Sequence, residues 1–267
     1  MKSKNILLFT DLDGSLLNKK TFDFKAALSL IKDCLNNGIK IIANSSKTNL
    51  ELDDFCKTLN IPKIYISENG SCIYGLNLIK KNLNKIICLS RNRKLIYEHF
   101  VNNVDLTLRK KCNILEDETL KNQIDILGLP KHKIEMALDR KFSIPFTFNG
   151  DKKEEIQLNA MVEKIGLKIQ FGGRVLNLGD TVSKGKAMDK FISLLSMETK
   201  KEYLSICVGD NENDFDMLEK SDYPCLVKSD EVKLVNFKNE CLVSKKEAPY
   251  GWVEVVNATL NKILEKS

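Results

Sequence analysis

Several features that would place a chain in a particular class are missing from these 267 residues. No apolar run approaches the roughly 18 residues of a membrane-spanning helix, and the first run ends at Asp11, so we predict neither a membrane span nor an export signal. The eight cysteines include no Cys-x-x-Cys pair and lie mostly in apolar or helical contexts. Reduced core thiols are therefore favoured over a disulfide framework, which predicts a cytoplasmic protein.

Aromatic residues are also few, at 7% of the chain, and they are not interleaved with basic residues as in a stacking platform for nucleic acid. Lysine and arginine (42) only slightly outnumber aspartate and glutamate (36), and the dispersed lysines are typical of a solvated surface. The net charge of +6 still favours an anionic small-molecule substrate. We thus predict no nucleic-acid partner, and we assign no role to His99 and His132. The sequence does not indicate an oligomeric state.

Two carboxylates follow the first apolar run. The residues from Ile6 to Phe9 are predicted to form a buried strand, and Asp11 and Asp13 come directly after it. Side chains at positions i and i+2 of an extended segment point the same way, so both carboxylates would converge at the carboxyl end of this strand. Open parallel sheets bind their ligands at that edge, although Asp-x-Asp-Gly also occurs in ordinary turns.

A regular alternation of strands and helices continues from there, which is typical of a parallel sheet with right-handed crossovers. The predicted elements are helices over residues 23–37, 50–59, 184–196 and 253–264 and strands over residues 39–44, 64–66, 203–208 and 224–227. Between about 84 and 180 the alternation is interrupted. We therefore predict an α/β core with a doubly wound, Rossmann-like parallel sheet, residues 1–83 and 182–267, and an inserted α/β domain, residues 84–181.

Further polar clusters lie where these elements begin or end. Asn44-Ser45-Ser46-Lys47-Thr48 follows the second strand, Lys184 begins a helix, and Gly209-Asp210-Asn211-Glu212-Asn213-Asp214 follows a later strand. Taken alone, the acidic stretch or Ser45 could cap a helix, and Lys184 could be a surface lysine. Their occurrence in one chain with the two N-terminal carboxylates, in this order, favours a common site.

The four clusters resemble the sequence motifs of the haloacid dehalogenase superfamily of phosphohydrolases, and the resemblance covers nearly the whole chain. The stretches are Asp-Leu-Asp-Gly-Ser, Asn-Ser-Ser-Lys-Thr, Ser-Lys-Gly-Lys-Ala and Gly-Asp-Asn-Glu-Asn-Asp. Position 15 carries serine where the family more often has threonine, so the hydroxyl is kept. The resemblance implies a phosphatase with the fold of that superfamily.

The resemblance also implies roles for four residues. Asp11 would attack phosphorus and form an aspartyl-phosphate, and Asp13 would protonate the leaving oxygen and later take a proton from the attacking water. Lys184 would balance charge on the phosphoryl group, and the Ser45 hydroxyl would donate a hydrogen bond to it. Because a phosphomonoester dianion repels an anionic nucleophile, this chemistry requires cations at the site.

Mg²⁺ is the cofactor that the resemblance implies, since this hard ion prefers oxygen ligands in octahedral geometry. The implied ligands are Asp11, the backbone carbonyl of Asp13, and Asp210. Asp214, and with it Asn213, would complete or orient the coordination shell.

The inserted domain occupies the position of the larger α/β cap in the sugar-phosphatase branch of the superfamily, where caps close over the substrate and select it. Closure is expected to use hinges near residues 83 and 181.

Further stretches are similar to the mannosyl-3-phosphoglycerate phosphatase family. They are Asn44-Ser45-Ser46-Lys47-Thr48, Ser67-Glu68-Asn69-Gly70, Leu127-Gly128-Leu129-Pro130, Arg140-Lys141-Phe142-Ser143-Ile144-Pro145-Phe146, Gly172-Gly173-Arg174 and Ala248-Pro249-Tyr250-Gly251-Trp252. Lys141 and Ile144 stand where that family usually has acidic residues, which bears on substrate choice.

Four residues are predicted to bind the substrate, a small phosphorylated sugar-glycerate. Arg174 and Arg140 carry planar guanidinium groups that suit a carboxylate or a phosphate. Lys47 and Asn69 lie in stretches that share the resemblance. Each of the four could instead form a surface ion pair or a turn.

The leading hypothesis is a Mg²⁺-dependent phosphatase that converts mannosyl-3-phosphoglycerate to mannosylglycerate, a compatible solute. A glucosyl substrate differs in the orientation of one hydroxyl and is the nearest alternative. A broader sugar-phosphate phosphatase or a phosphomutase would use the same core. A non-catalytic anion-binding protein is the remote alternative, and the presence of Asp11, Asp13, Lys184 and Asp210 argues against it.

Overall fold

The computed structural model of the protein describes residues 5–171, 174–229 and 240–265. Its strands are β1 (Ile6–Thr10), β2 (Lys40–Asn44), β3 (Tyr65–Ser67), β4 (Cys72–Tyr74), β5 (Ile86–Cys88), β6 (Cys112–Ile114), β7 (Ser143–Phe148), β8 (Leu167–Phe171), β9 (Leu176–Asp180), β10 (Leu204–Gly209), β11 (Tyr223–Leu226) and β12 (Leu242–Val243). Its α-helices are α1 (Leu28–Asn36), α2 (Asn49–Leu59), α3 (Leu76–Ile79), α4 (Arg93–Asn103), α5 (Leu106–Arg109), α6 (Leu120–Leu127), α7 (Lys131–Leu138), α8 (Lys152–Lys164), α9 (Lys184–Thr199), α10 (Phe215–Glu219) and α11 (Tyr250–Glu265). Gly172 and Gly173, part of one stretch named above, lie outside the described residues.

An eight-stranded sheet forms the core, in the order β12-β11-β10-β1-β2-β3-β4-β5. The pairs from β12 to β3 are parallel, whereas β4 is antiparallel to both of its neighbours. The chain winds outward from β1 in one direction through β2 and β3, and from β10 in the other through β11 and β12. Ligands bind at such a reversal of strand order, just beyond the carboxyl ends of the strands. The predicted doubly wound parallel sheet is confirmed.

Helices cover both faces of the core sheet. Leu7 and Phe9 of β1 face α9, where the rings of Phe9 and Phe191 meet edge to face at 5.4 Å. Leu8 faces the other side and belongs to the cluster that contains Trp252 of α11. Since alternate side chains of a strand point to opposite faces, a continuous apolar run is what a strand buried on both sides requires.

The inserted domain, called the cap below, has a hydrophobic core of its own. Its four-stranded antiparallel sheet has the order β6-β7-β9-β8. Helix α4 contributes Ile96 and helix α8 contributes Val162 to a cluster on one face of this sheet, together with Ile144 and Leu178 from the strands. Asn177 on β9 alternates with Leu178 and lines the cavity between cap and core. The cap therefore turns one face inward to its own helices and the other toward the core.

The chain enters the cap after β5 and leaves it after β9. Strand β5 follows the predicted boundary at residue 84, yet it pairs with β4 as the edge strand of the core sheet. An edge position suits a strand this short, because a short edge strand leaves few backbone groups unpaired. The domain limits at residues 83 and 181 stay predictions.

The cysteines and the helices bear on two further expectations. All eight cysteines are free thiols, as predicted, and most of them are buried. Within the three described ranges, no helix is both long enough and apolar enough to cross a membrane.

Candidate active site

Several strands of the core sheet end in polar residues at one edge. Asp11 follows β1, Asp210 follows β10, Ser45 follows β2 and Glu68 follows β3. Parallel strands place their carboxyl ends side by side, so residues that are distant in the sequence become neighbours here. All four side chains are buried, and Asp11 is the most accessible of them at 7% exposed.

Lys184 links two of the carboxylates at this edge. It is the first residue of α9, and its Nζ lies 2.7 Å from Oδ1 of Asp11 and 2.6 Å from Oδ1 of Asp214. The backbone carbonyl of Lys184 accepts a hydrogen bond from the Asn44 side chain at the end of β2 (3.0 Å). The start of α9 is thereby fixed to the sheet. Lys184 is only 1% exposed, so it is a buried counterion and not the surface lysine considered above.

The negative charge of the cluster exceeds what one lysine balances. Burial is the largest cause that raises the pKa of Asp11 to about 6, and the Lys184 ammonium opposes it. Burial, followed by the charges of Asp11 and Asp214, raises the pKa of Asp210 to about 8. Burial disfavours the charged form of Lys184 too, but the two carboxylates outweigh it and raise the lysine pKa. A second positive charge would relieve this repulsion.

The donor atoms fit a divalent cation. Asp11, Asp210 and Asp214 each offer a carboxylate oxygen, and these oxygens lie within 4.8 Å of one another. Carboxylate oxygens are the ligands that a hard ion such as Mg²⁺ prefers. The side chain of Asp13 points elsewhere, toward Lys47, and the backbone carbonyl of Asp13 stays a predicted ligand.

The loop after β1 supports Asp210 directly. Gly14 has φ +93, and a Cβ atom there would lie 2.3 Å from Oδ2 of Asp210, so both the conformation and the close approach require glycine. The next residue, Ser15, donates from Oγ to Oδ1 of Asp210 at 2.7 Å. The hydroxyl at position 15 therefore orients one of the candidate metal ligands.

Asp214 has a structural role in addition to its ion pair. Its Oδ2 accepts hydrogen bonds from the backbone N–H groups of Asp210 (3.0 Å) and Asn211 (3.1 Å). These bonds close the 3₁₀ turn Glu212–Asp214 after β10. The capping role that the sequence left open is thus present, and the same carboxylate also contacts Lys184.

Asp13 is paired with Lys47 rather than with the acidic cluster. Nζ of Lys47 lies 2.7 Å from Oδ2 of Asp13 and 3.6 Å from Oε1 of Glu51, at the start of α2. Burial disfavours the charged form of Lys47, but the carboxylates of Asp13 and Glu51 outweigh it and raise the lysine pKa. Oδ1 of Asp13 is buried and has no hydrogen-bond partner among the described residues. Lys47 therefore orients Asp13 in the protein without substrate.

Arg140, one of two cap arginines on the cavity wall, lies opposite Asp11 and Asp13. It follows α7, and its Nη1 donates to the backbone carbonyl of Ser46 in the core and to the Ser143 hydroxyl, both at 3.1 Å. This arginine thus bridges the cap to the loop that follows β2.

Arg174 is more exposed than Arg140 and also lines this cavity. Its guanidinium lies over the Phe22 ring, with Cζ 5.5 Å from the ring centroid. It donates to the backbone carbonyls of Leu127 and Lys19. Sequence inspection missed Phe22 and Lys19, since neither belongs to a motif and both meet the cavity only through the folded loop after β1.

Ser45 and Asn69 lie beneath the cavity wall. The backbone carbonyl of Ser45 accepts a hydrogen bond from the N–H of Asn69 at 3.0 Å. Oδ1 of Asn69 accepts one from the side chain of Asn213 at 3.3 Å. The structure thus places both at the carboxyl edge of the core sheet, and their contacts with substrate stay predictions.

Glu68 is a buried carboxylate at this edge to which the sequence analysis assigned no role. It is 3% exposed and is the residue between β3 and Asn69. Its position directly after a strand was a usable signal, because that is the position of Asp11 and Asp210. Its partners are donors of the cap, which no local pattern indicates.

The comparisons with known proteins identify the family of this chain. A model of the haloacid dehalogenase-like hydrolases matches residues 8–248. A glucosyl-3-phosphoglycerate/mannosyl-3-phosphoglycerate phosphatase of Persephonella marina is 30% identical over 276 aligned positions, which cover 97% of this chain and 98% of that protein. A mannosyl-3-phosphoglycerate phosphatase of Pyrococcus furiosus is 30% identical over 232 positions, covering 83% of this chain and 90% of its own.

Solved structures resemble the fold as well. A haloacid dehalogenase-like hydrolase of B. subtilis superimposes with a TM-score of 0.64 at 16% identity, over 94% of this chain and 96% of that one. The resemblance recognised in the four sequence motifs is confirmed.

Proposed function

We propose that this chain, which belongs to the haloacid dehalogenase-like hydrolases and is a phosphatase, hydrolyses mannosyl-3-phosphoglycerate to mannosylglycerate and phosphate. The observation that carries the proposal is the arrangement around one cavity. Asp11 and Asp13 lie on its core side, and Arg140 and Arg174 lie on its cap side. A phosphate ester that also bears a carboxylate and several hydroxyl groups could place its phosphate at the core side and its carboxylate at the arginines of the cap side.

In the first step Asp11 attacks phosphorus. Lys184 holds Oδ1 of Asp11 at 2.7 Å, so the other carboxylate oxygen forms the new bond to phosphorus while the bond from phosphorus to the glycerate oxygen breaks. Asp13, two residues on, gives its proton to that leaving oxygen. Water then attacks the phosphorus of the aspartyl-phosphate and Asp13 takes a proton from the water. The bond from phosphorus to the carboxylate oxygen of Asp11 breaks, which releases phosphate and restores Asp11.

The positive charges make this approach of two anions possible. Lys184 is buried beside Asp11 and would face one side of the phosphoryl group. Ser45 and the backbone amides near it would donate hydrogen bonds to phosphoryl oxygens. Haloacid dehalogenase-like hydrolases generally use Mg²⁺, which would be held by Asp11, Asp210 and Asp214 with the backbone carbonyl of Asp13 and would supply the charge that one lysine lacks.

Lys47 connects this chemistry to substrate binding. It now pairs with Asp13, but it also lines the cavity beside Arg140. A glycerate carboxylate at this place would compete for the same ammonium. Binding would then free Asp13 from its ion pair at the moment when it must act as the acid.

A glucosyl-3-phosphoglycerate is the second candidate substrate, because the Persephonella marina relative is named for both compounds. The two sugars differ in the orientation of one hydroxyl, so a single cavity can accept either. The cytoplasmic location and the role in making a compatible solute stay predictions from the sequence.

The test is phosphate release from mannosyl- and glucosyl-3-phosphoglycerate side by side, with Mg²⁺ and with a chelator. p-Nitrophenyl phosphate serves as a generic phosphoester in the same assay. We expect Mg²⁺-dependent release from one or both sugar substrates. If only p-nitrophenyl phosphate is cleaved, the phosphatase activity is supported and the proposed substrate is refuted. Transfer of phosphate to another hydroxyl, with little release of inorganic phosphate, would instead indicate a mutase.

A further inference from the structure

The turn Glu68–Gly70, called the 68–70 turn, lies between the core, the cap and the loop of residues 210–214, called the acidic loop. Glu68 has φ +46 and Asn69 has φ +58, both in the left-handed region that side chains rarely adopt. Two such residues in succession persist only where the surroundings fix them, and strain of this kind is concentrated at functional sites. The contacts around the turn must therefore hold it in this conformation.

On the core side, the turn is bonded to the loop after β2. The N–H of Glu68 donates to the carbonyl of Lys47, and the N–H of Asn69 donates to the carbonyl of Ser45, both at 3.0 Å. The side chain of Asn69 meets Asn213 of the acidic loop. A Cβ atom on Gly70 would lie 2.2 Å from the carbonyl oxygen of Ser183, so the turn also packs against the start of α9.

On the cap side, the turn is bonded through the Glu68 carboxylate. Oε1 of Glu68 accepts the backbone N–H of Lys141 at 2.9 Å. Oε2 accepts the backbone N–H of Phe142 at 3.1 Å and the Ser143 hydroxyl at 2.6 Å. These donors lie directly after Arg140, whose own Nη1 also donates to the Ser143 hydroxyl.

We propose that Glu68 is a positioning residue that docks the cap segment 141–143 onto the core and thereby sets Arg140 over the phosphoryl site. The proposal goes beyond the function argued above, because it rests on the phosphatase core and not on which sugar is bound. A carboxylate is suited to this role, since it accepts all three bonds and donates none. Bonds to an ionised acceptor are also stronger than neutral ones.

The first test measures docking itself. Hydrogen exchange of the backbone amides of Lys141 and Phe142 is followed in the full-length protein and in Glu68→Gln. The amide side chain keeps the shape but turns one acceptor into a donor, so exchange at both positions should accelerate by about 10-fold or more. Glu155→Gln is the matched control, since it removes a cap carboxylate whose partner Lys152 (3.0 Å) lies on the same helix, α8, and exchange at Lys141 and Phe142 should stay unchanged in it.

The second test is a double-mutant cycle on kcat/KM for whichever hexosyl-3-phosphoglycerate the wild type cleaves. If Glu68 acts through Arg140, Glu68→Gln alone should lower kcat/KM on the order of 10- to 100-fold, yet should cost no more than about threefold in an Arg140→Met background. Losses that multiply across the two variants would overturn the proposal. Glu68→Asp, which keeps the charge but shortens the side chain, replaces Glu68→Gln if that variant does not fold.

The two tests separate this inference from the proposed substrate. If the wild type cleaves p-nitrophenyl phosphate but neither hexosyl substrate, the substrate proposal fails and the exchange measurement decides the role of Glu68. Unchanged exchange at Lys141 and Phe142 in Glu68→Gln would refute docking by Glu68 whatever the substrate is.

Discussion

The core and the cap contribute charged side chains to one cavity in different ways. The core groups Asp11, Lys184 and Asp214 are at most 7% exposed and are paired with one another within 2.7 Å. The cap groups Arg140 and Arg174 are partly or largely exposed, and the contacts described for them are with backbone carbonyls or hydroxyls and, for Arg174, the Phe22 ring. The difference suggests a fixed centre for the chemistry and an adjustable wall for substrate selection.

The sharpest way to separate the two regions is to remove the nucleophile. Asp11→Asn keeps an acceptor for Lys184 but lacks the attacking carboxylate, so kcat should fall by at least about 10³-fold. The loss should be the same for p-nitrophenyl phosphate and for a hexosyl substrate, because the step belongs to the core alone. The measurement is steady-state phosphate release, with circular dichroism to verify the fold. Substantial remaining activity in this variant would contradict the assignment of Asp11 as the nucleophile.

The ion pairs of the two regions should differ in stability. Lys184→Met leaves two buried carboxylates without their counterion, which should lower the free energy of unfolding by about 3–5 kcal/mol. In the cap, Glu116→Gln breaks a pair with Arg93 whose side chains are about one third exposed, and should cost less than about 1 kcal/mol. Urea unfolding of both variants without added metal makes the comparison. Equal costs would show that burial does not distinguish the two pairs.

Metal binding should reveal the excess charge of the core. The pKa values of Asp11 and Asp210, about 6 and about 8, are raised above those of the unfolded chain. The folded protein without metal therefore binds more protons than the unfolded chain, so its stability falls as pH rises from 6 to 8, by about 1.4 kcal/mol per pH unit for each proton. Mg²⁺ replaces those protons, and its stabilisation should be larger at pH 8 than at pH 6.

Thermal unfolding at both pH values, with Mg²⁺ and with a chelator, measures this effect. In Asp210→Asn, which lacks the carboxyl with the higher pKa, the difference between the two pH values should shrink. A Mg²⁺ effect of equal size at pH 6 and pH 8 in the wild type would contradict the electrostatic description of the cluster.

The difference between core and cap also explains which parts of the fold and the site could be predicted from the sequence. The strand ends at Asp11 and Asp210 and the helix start at Lys184 are encoded locally, by an apolar run followed by acid or by a serine before a helix. The alternation of elements then fixes the sheet, and with it their convergence. The core fold is confirmed for this reason.

The cap contacts depend on pairs that no local pattern links. Glu68 and Ser143 are 75 positions apart, and Arg140 and Ser46 are 94 apart. Their proximity arises only when the cap docks, so sequence inspection named Arg140 for its chemistry without its partner and assigned Glu68 no role. Strand β5 lies just after the predicted domain limit at residue 83, and its place in the core sheet follows from two antiparallel pairings, β3 with β4 and β4 with β5, that the parallel alternation does not predict.

The most direct test of the division between core and cap is a ratio of two kcat/KM values, that for mannosyl-3-phosphoglycerate over that for p-nitrophenyl phosphate, in the wild type and in Arg174→Lys. Lysine keeps the charge but loses the planar fork, so the ratio should fall on the order of 10-fold. A ratio that stays constant, with both kcat/KM values unchanged or reduced in parallel, would contradict selection by the cap.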